Sequence, residues 1–249
     1  MSGHSKWKTT KNKKAAADAV KGRLFTKATK EITVAAKDGG GDPNMNPRLR
    51  IALAKAKEAN MPKENVEKAI KKGTGELPGV IYETIMYEVY GPGGVAIMVE
   101  ALTDNKNRAS AEIKNILSRR GGNMAGPGAV SRFFHKKGSI LIEKSKIDED
   151  KLMDIVLNAG AEDMKTEDKI YEITTDPKDF EKVKKALDDN KVECHVAEVT
   201  MVPTMTVKVA GDHAKQVLAL VDSLEDYEDV QNVYANFDIP DEILEQAKG

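Results

Sequence analysis

Few side chains in this sequence are suited to covalent or metal chemistry. Histidines stand at 4, 135, 195 and 213, without the intervals that metal ligands use. Cys194 is the only cysteine, which excludes an intrachain disulfide and suits a reducing compartment. On an extended strand Cys194 and His195 would point to opposite faces, so a buried structural thiol fits better than a nucleophile. The acidic runs Asp148-Glu149-Asp150 and Asp188-Asp189 fall at helix ends or turns, where solvated surface is the plain reading. Gly91 to Gly94 and Gly121 to Gly128 lack both the Gly-Lys-Ser/Thr of a phosphate loop and a full G-x-G-x-x-G, so tight turns explain them. No catalytic set, metal site or cofactor is expected.

The ordered chemistry lies in cations. Lys6, Lys8, Lys11, Lys13 and Lys14 flank Trp7, whose ring can stack on an unpaired base. Arg23, Lys27 and Lys30 then recur at helical spacing, within about 40° of one line at ~100° per residue. Such residues neutralise phosphates and give salt-sensitive, sequence-independent affinity. A solvated helix face with a Trp capping the core is the plainer alternative. A third group, Asn105-Lys106-Asn107-Arg108, stands between a strand end and a helix start. Free N–H groups attract phosphate there, and ordinary capping by Asn105 or Asn107 explains the sequence equally well. Lys106 and Arg108 join the candidate nucleic-acid contacts.

The formal net charge of −1 conceals a strong polarity along the chain. Residues 1–78 carry a net +10, residues 79–137 a net +3 and residues 138–249 a net −14. The basic end suits nucleic acid, and the acidic remainder suits basic proteins or a role facing away from phosphate. The simplest alternative is that the two ends attract each other. Aromatic residues at 5% disfavour broad stacking platforms. No apolar run approaches the ~20 residues needed to span a bilayer, and the basic N-terminus has no apolar core behind it. A cytoplasmic protein without membrane contact is expected.

These residues must be held by elements that the periodicity outlines. Residues 1–78 read as helical. Lys14 to Lys37 places Leu24, Phe25, Ala28, Ile32, Ala35 and Ala36 in one arc. Gly39-Gly40-Gly41-Asp42-Pro43 breaks that helix, and Asn46-Pro47 starts a second with Leu49, Ala52, Leu53 and Ala56 inward. A third helix carries Val66, Ala69 and Ile70 inward and stops at Gly73. The pattern then turns to period two. Strands are expected at Ile81–Tyr90, Val95–Thr103, Ser139–Glu143, Lys169–Thr174, Val192–Val199, Thr204–Val209 and Val230–Asn236. Helices are expected at 107–120, Asp148–Asn158, Pro177–Asp189 and His213–Leu224. Residues 138–202 read as a β-α-β-α-β unit inserted into a discontinuous α+β domain of residues 79–137 and 203–249, behind the basic helical domain of residues 1–78.

Several motifs then become recognisable in order. Gly3-His4-Ser5-Lys6-Trp7 is followed by Gly22-Arg23-Leu24-Phe25-Thr26-Lys27, Gly39-Gly40-Gly41-Asp42-Pro43, Asn60-Met61-Pro62 and Lys71-Lys72-Gly73-Thr74-Gly75. Tyr90-Gly91-Pro92-Gly93-Gly94-Val95 and Thr103-Asp104-Asn105-Lys106-Asn107-Arg108 complete the series. With them the chain resembles the YebC family, specifically to about residue 140 and by element pattern beyond. Thr10 and Asn12-Lys13 depart from the family's usual residues, as does Gly126-Pro127 in the glycine-rich loop. The resemblance implies an α+β protein of three domains: a small all-helical N-terminal domain and two ferredoxin-like α/β sandwich units, one inserted into the other. It implies no catalytic activity. Bacterial members are labelled probable DNA-binding transcriptional regulators, and other members act as mitochondrial translational activators or ribosome-associated factors. No helix-turn-helix, zinc finger or ribbon pattern supplies base readout here, so the expected partner is nucleic acid, ribosomal RNA ahead of DNA, with ribosomal proteins as basic partners.

Overall fold

The computed structural model describes residues 18–240 and 243, apart from 168, with side chains from residue 22 onward. The first helix, α1 (Asp18–Gly39), packs against α2 (Pro47–Glu58) and α3 (Lys63–Gly73). Ile32, Ala35, Leu49, Ala52, Ala56 and Ala69 form most of a small shared core. Four of these six are alanines, so the helices approach closely and bury little apolar area. Close approach has a steric requirement at Gly73, where a Cβ would lie 2.3 Å from the Thr33 carbonyl oxygen and 2.7 Å from Ala36 Cβ. Buried Asn46 ties the helix pair together. Its Oδ1 accepts from the Leu49 amide at 3.0 Å, capping α2, while its Nδ2 donates to the Ala35 and Gly40 carbonyls at 2.7 and 2.8 Å. The expected Asn-Pro start of α2 is thus also the closure of α1. Leu24, expected in the inward arc, is 41% exposed instead.

Beyond the connector the chain runs β1 (Glu83–Tyr90), β2 (Ala96–Thr103), α4 (Lys106–Arg120), β3 (Asn123–Met124), β4 (Phe134–Glu143), α5 (Glu149–Ala159) and β5 (Ala161–Thr166). It continues through β6 (Ile170–Thr175), α6 (Phe180–Asp189), β7 (Val196–Pro203), β8 (Val207–Lys208), α7 (Gly211–Asp226), β9 (Val230–Ala235) and β10 (Phe237–Asp238). Two antiparallel four-stranded sheets result, ordered β3-β1-β2-β9 and β5-β6-β4-β7. The second sheet is a ferredoxin-like β-α-β-β-α-β arrangement. The first has the same spatial order, but β1, standing where β6 stands in the second, enters the chain ahead of its partners. In each sheet the two helices cover one face. Val89, Ile97 and Val99 meet Ile113 of α4 and Val217 and Leu220 of α7, while Ile140 and Ile173 meet Leu152 and Val156 of α5 and Val183 and Leu187 of α6. The other face of the first sheet carries a smaller cluster in which Met98 and Tyr234 meet Phe134 of β4, with Met201 of β7 against it.

The structure departs from the sequence reading in several strands. β5 was not expected: Ala-Glu-Asp-Met-Lys-Thr shows no apolar alternation because it is an edge strand, exposed at four of its six positions. β4 starts five residues earlier than expected, at Phe134, and pairs through to Pro203. The strand expected over Thr204–Val209 shrinks to β8, which pairs parallel with β10 outside both four-stranded sheets. β7 begins only at Val196, so Cys194 precedes it, half-buried, and burial raises its thiol pKa.

Candidate nucleic-acid interface

Lys6, Trp7, Lys8, Lys11, Lys13 and Lys14 lie outside the described residues. The cations that follow meet at one corner. Asp229, in the turn from α7 to β9, is fully buried. Its carboxylate forms an ion pair with Lys30 Nζ of α1 and accepts from Thr103 Oγ1 at 2.9 Å, Tyr227 OH at 2.9 Å and Arg108 Nη2 at 3.1 Å. Lys30 also donates to the Glu228 carbonyl at 3.1 Å, Lys27 Nζ donates to the Glu225 carbonyl at 2.6 Å, and Arg23 stands 3.3 Å from Asp226 Oδ1. The turn thus gathers the middle of α1 and the ends of β2, α4 and α7 around one carboxylate.

The electrostatics follow from that crowding. Burial alone would raise the Asp229 pKa, but donation from Lys30, Thr103, Tyr227 and Arg108 outweighs it and holds the carboxyl below its ordinary value. Burial and the bond to Asp229 push the Tyr227 phenol up to about 12. Arg108 is held firmly protonated, first by Asp229 and then by Asp104, which it meets at 2.6 Å.

The cations of the helix stripe therefore have partners within the chain. Arg23, Lys27 and Lys30 do share a side of α1, but that side faces the acidic corner rather than open solvent, and Lys30 is only 7% exposed. The attraction between oppositely charged ends accounts for their placement. At the second candidate the capping alternative describes the geometry. Asn105 Oδ1 accepts from the Arg108 amide at 3.1 Å, Lys106 pairs with Glu83 at 2.5 Å, and Arg108 turns toward Asp104 and Asp229.

One side chain missed in the sequence controls the glycine-rich loop. Glu88 of β1 accepts backbone N–H bonds from Gly128 at 2.7 Å, Val130 at 2.5 Å and Ser131 at 2.9 Å. Burial pushes its pKa up, but these donors outweigh it and leave the carboxyl below its ordinary value. The loop therefore holds an anion that belongs to the chain itself. A lone Glu in a strand, 40 residues from its partner in sequence, gave no signal of this role.

The cations left open are elsewhere on the helical part. Arg50, Lys55 and Lys57 on α2 and Lys68, Lys71 and Lys72 on α3 are exposed and form no ion pair among the described residues, as does Lys37 at the end of α1. Lys68, Lys71 and Lys72 share one face by their spacing. The ends of α1 and α3 meet at Gly73, bringing Lys37 toward that group. Lysines in a last turn also complement the helix dipole, which alone would justify some of them. Among the described residues no group of three or more His, Cys, Asp or Glu is arranged to hold a metal ion, and no helix is long and apolar enough to cross a membrane.

The fold and its charges define a class: an α+β protein whose basic helical part meets the first of two ferredoxin-like sheets through a charged corner. The chain belongs to the TACO1/YebC family, since the model of the family's N-terminal domain matches residues 5–76 and that of its second and third domain matches residues 82–237. It is 57% identical over 247 residues, covering 99% of both chains, to a "Probable transcriptional regulatory protein" of Syntrophobacter fumaroxidans. A protein of the same name from Dictyoglomus turgidum is 56% identical over 246 residues, covering 98% of this chain and 99% of that one. The crystal structure of a conserved hypothetical protein from Aquifex aeolicus superposes with a TM-score of 0.79 at 43% identity, covering 91% of this chain and 94% of that one.

Proposed function

We propose that the chain is a non-catalytic, nucleic-acid-binding regulator of gene expression that acts on RNA at the ribosome as a translation factor. One observation carries this reading: the helical part presents seven exposed cations that make no ion pair among the described residues, while residues 138–249 carry a net −14. A molecule with one pole of each sign suits a partner that offers both RNA and basic proteins. Binding by point charges on lysines positions a protein on a phosphate backbone without reading bases.

A second reading, a DNA-binding transcriptional regulator, draws on the names of the relatives and on the joint between α2 and α3. Four residues, 59–62, separate those helices, a turn length that helix-turn-helix proteins use. The two readings part in a sedimentation and crosslinking experiment. The wild-type protein in lysate should travel with ribosomes at moderate salt, and the Lys68→Gln/Lys71→Gln/Lys72→Gln variant should do so less. On purified single-stranded RNA the triple variant should lower the slope of log K against log salt by about 2, at ~0.7 per lost contact. Recovery on DNA alone, with none sedimenting with ribosomes, replaces the first reading by the second. An unchanged salt slope removes α3 from the interface.

A further inference from the structure

We propose that the α7–β9 corner masks a phosphate-binding line: Arg23, Lys27 and Lys30 of α1 engage Glu225–Asp229 in the closed molecule and engage nucleic-acid phosphate when the helical part swings away. This deepens the function proposed above and rests on it. The chemistry of the corner is that of a phosphate site filled from within. An ammonium, a guanidinium and two hydroxyls converge on the Asp229 carboxylate; the same Lys30 ammonium also reaches the Glu228 carbonyl, while Lys27 reaches the Glu225 carbonyl and Arg23 the Asp226 carboxylate. The same donors hold phosphate oxygens with charge-assisted bonds.

The composition of the joint favours opening. The apolar core of the helical part draws only on residues between 25 and 70, and among the described residues no apolar cluster spans both that part and either sheet. The two sheets, by contrast, share an apolar cluster through Phe134 and Met201 against Met98 and Tyr234. Residues 74–81, which connect α3 to the first strand, are all exposed and include Gly75 and Gly79. A joint made of charges is weakened by salt and by competing anions, whereas apolar burial is not. Separating Lys30 from Asp229 into water also differs from deleting one of them. Both charges regain hydration, so the net cost of opening is far below that of an orphaned buried charge.

The test uses the full chain with fluorescent single-stranded RNA and duplex DNA across a salt series. Asp226→Asn/Asp229→Asn removes the competing carboxylates and keeps every cation. Asp150→Asn/Asp154→Asn on α5 removes the same charge from exposed carboxylates that form no ion pair among the described residues, and serves as control. The corner variant should bind severalfold more tightly than the control. Its salt slope on RNA should rise by about 0.7 for each cation freed, toward ~2 for all three. Equal affinity and slope in the corner variant and the control, with the wild type still binding, overturn the masking alone. No binding by wild type or variants overturns the nucleic-acid reading and the masking with it. Should Asp229→Asn fail to fold, Asp226→Asn by itself frees Arg23 from a half-exposed partner, and an unchanged slope in that variant again overturns the proposal.

Discussion

Replacing Lys30 by Met tests whether the α1 stripe is internal structure. The aliphatic stem is roughly retained, so the change mainly deletes the ammonium and leaves Asp229, fully buried, with three of its four side-chain donors. A carboxylate orphaned outright in a buried pair costs about 3–5 kcal/mol. Losing one of several charged hydrogen bonds costs about 1.5–3 kcal/mol, and that lower range applies here. The Leu102 amide, which donates to the Asp229 carbonyl at 2.7 Å, is a direct reporter. Its hydrogen exchange in Lys30→Met should run about ten- to a hundredfold faster than in wild type, at ~1.4 kcal/mol per decade. Arg23→Gln removes a pair whose side chains are 41% and 55% exposed, and should stay below about fivefold, as surface pairs contribute ~1 kcal/mol at most.

The effect must also depend on pH with a definite sign. Asp229 has a depressed folded pKa, so its contribution is complete above the unfolded value and is lost as pH falls through the folded one. The ratio of variant to wild-type exchange should therefore be constant at neutral pH and shrink toward one below about pH 4. A Lys30→Met effect no larger than that of Arg23→Gln, or one that persists undiminished in strong acid, refutes the buried-pair argument.

Two further outcomes follow from other parts of the molecule. Glu88→Gln should speed exchange at the Gly128, Val130 and Ser131 amides while leaving β1 and β2 paired, because only the loop depends on that carboxylate; acidification of the wild type below about pH 4 should mimic it, since the Glu88 carboxyl is also held below its ordinary value. Excising residues 134–203 with a short linker should leave the β3-β1-β2-β9 sheet cooperatively folded, as read by urea unfolding, whereas excising 138–202 strands the paired residues Phe134 to Lys137 as an unpaired edge; loss of cooperativity in the first deletion would show that the second sheet is not a separable insertion.

Local physics made much of this molecule legible in the sequence. Periodicity outlined α1 to α3 and the β1–β2 hairpin. Gly39 to Pro43 marked the break after α1, Asn46-Pro47 marked the start of α2, and the charge gradient was visible by counting. What failed was whatever depends on a neighbour distant in sequence. β5 carries no apolar alternation because an edge strand can be stabilised by its partner's backbone while its side chains remain in solvent. A helical wheel correctly placed Arg23, Lys27 and Lys30 on one side of α1, but a wheel orders residues about their own axis and says nothing of what stands opposite. Asp229 is 199 residues from Lys30 in sequence, and only the packing of the turn after α7 against α1 brings them together. The sequence could determine that these cations form a line; whether the line faces water, phosphate or a buried carboxylate was decided by the tertiary structure, because charge is local to a residue and its partner is not.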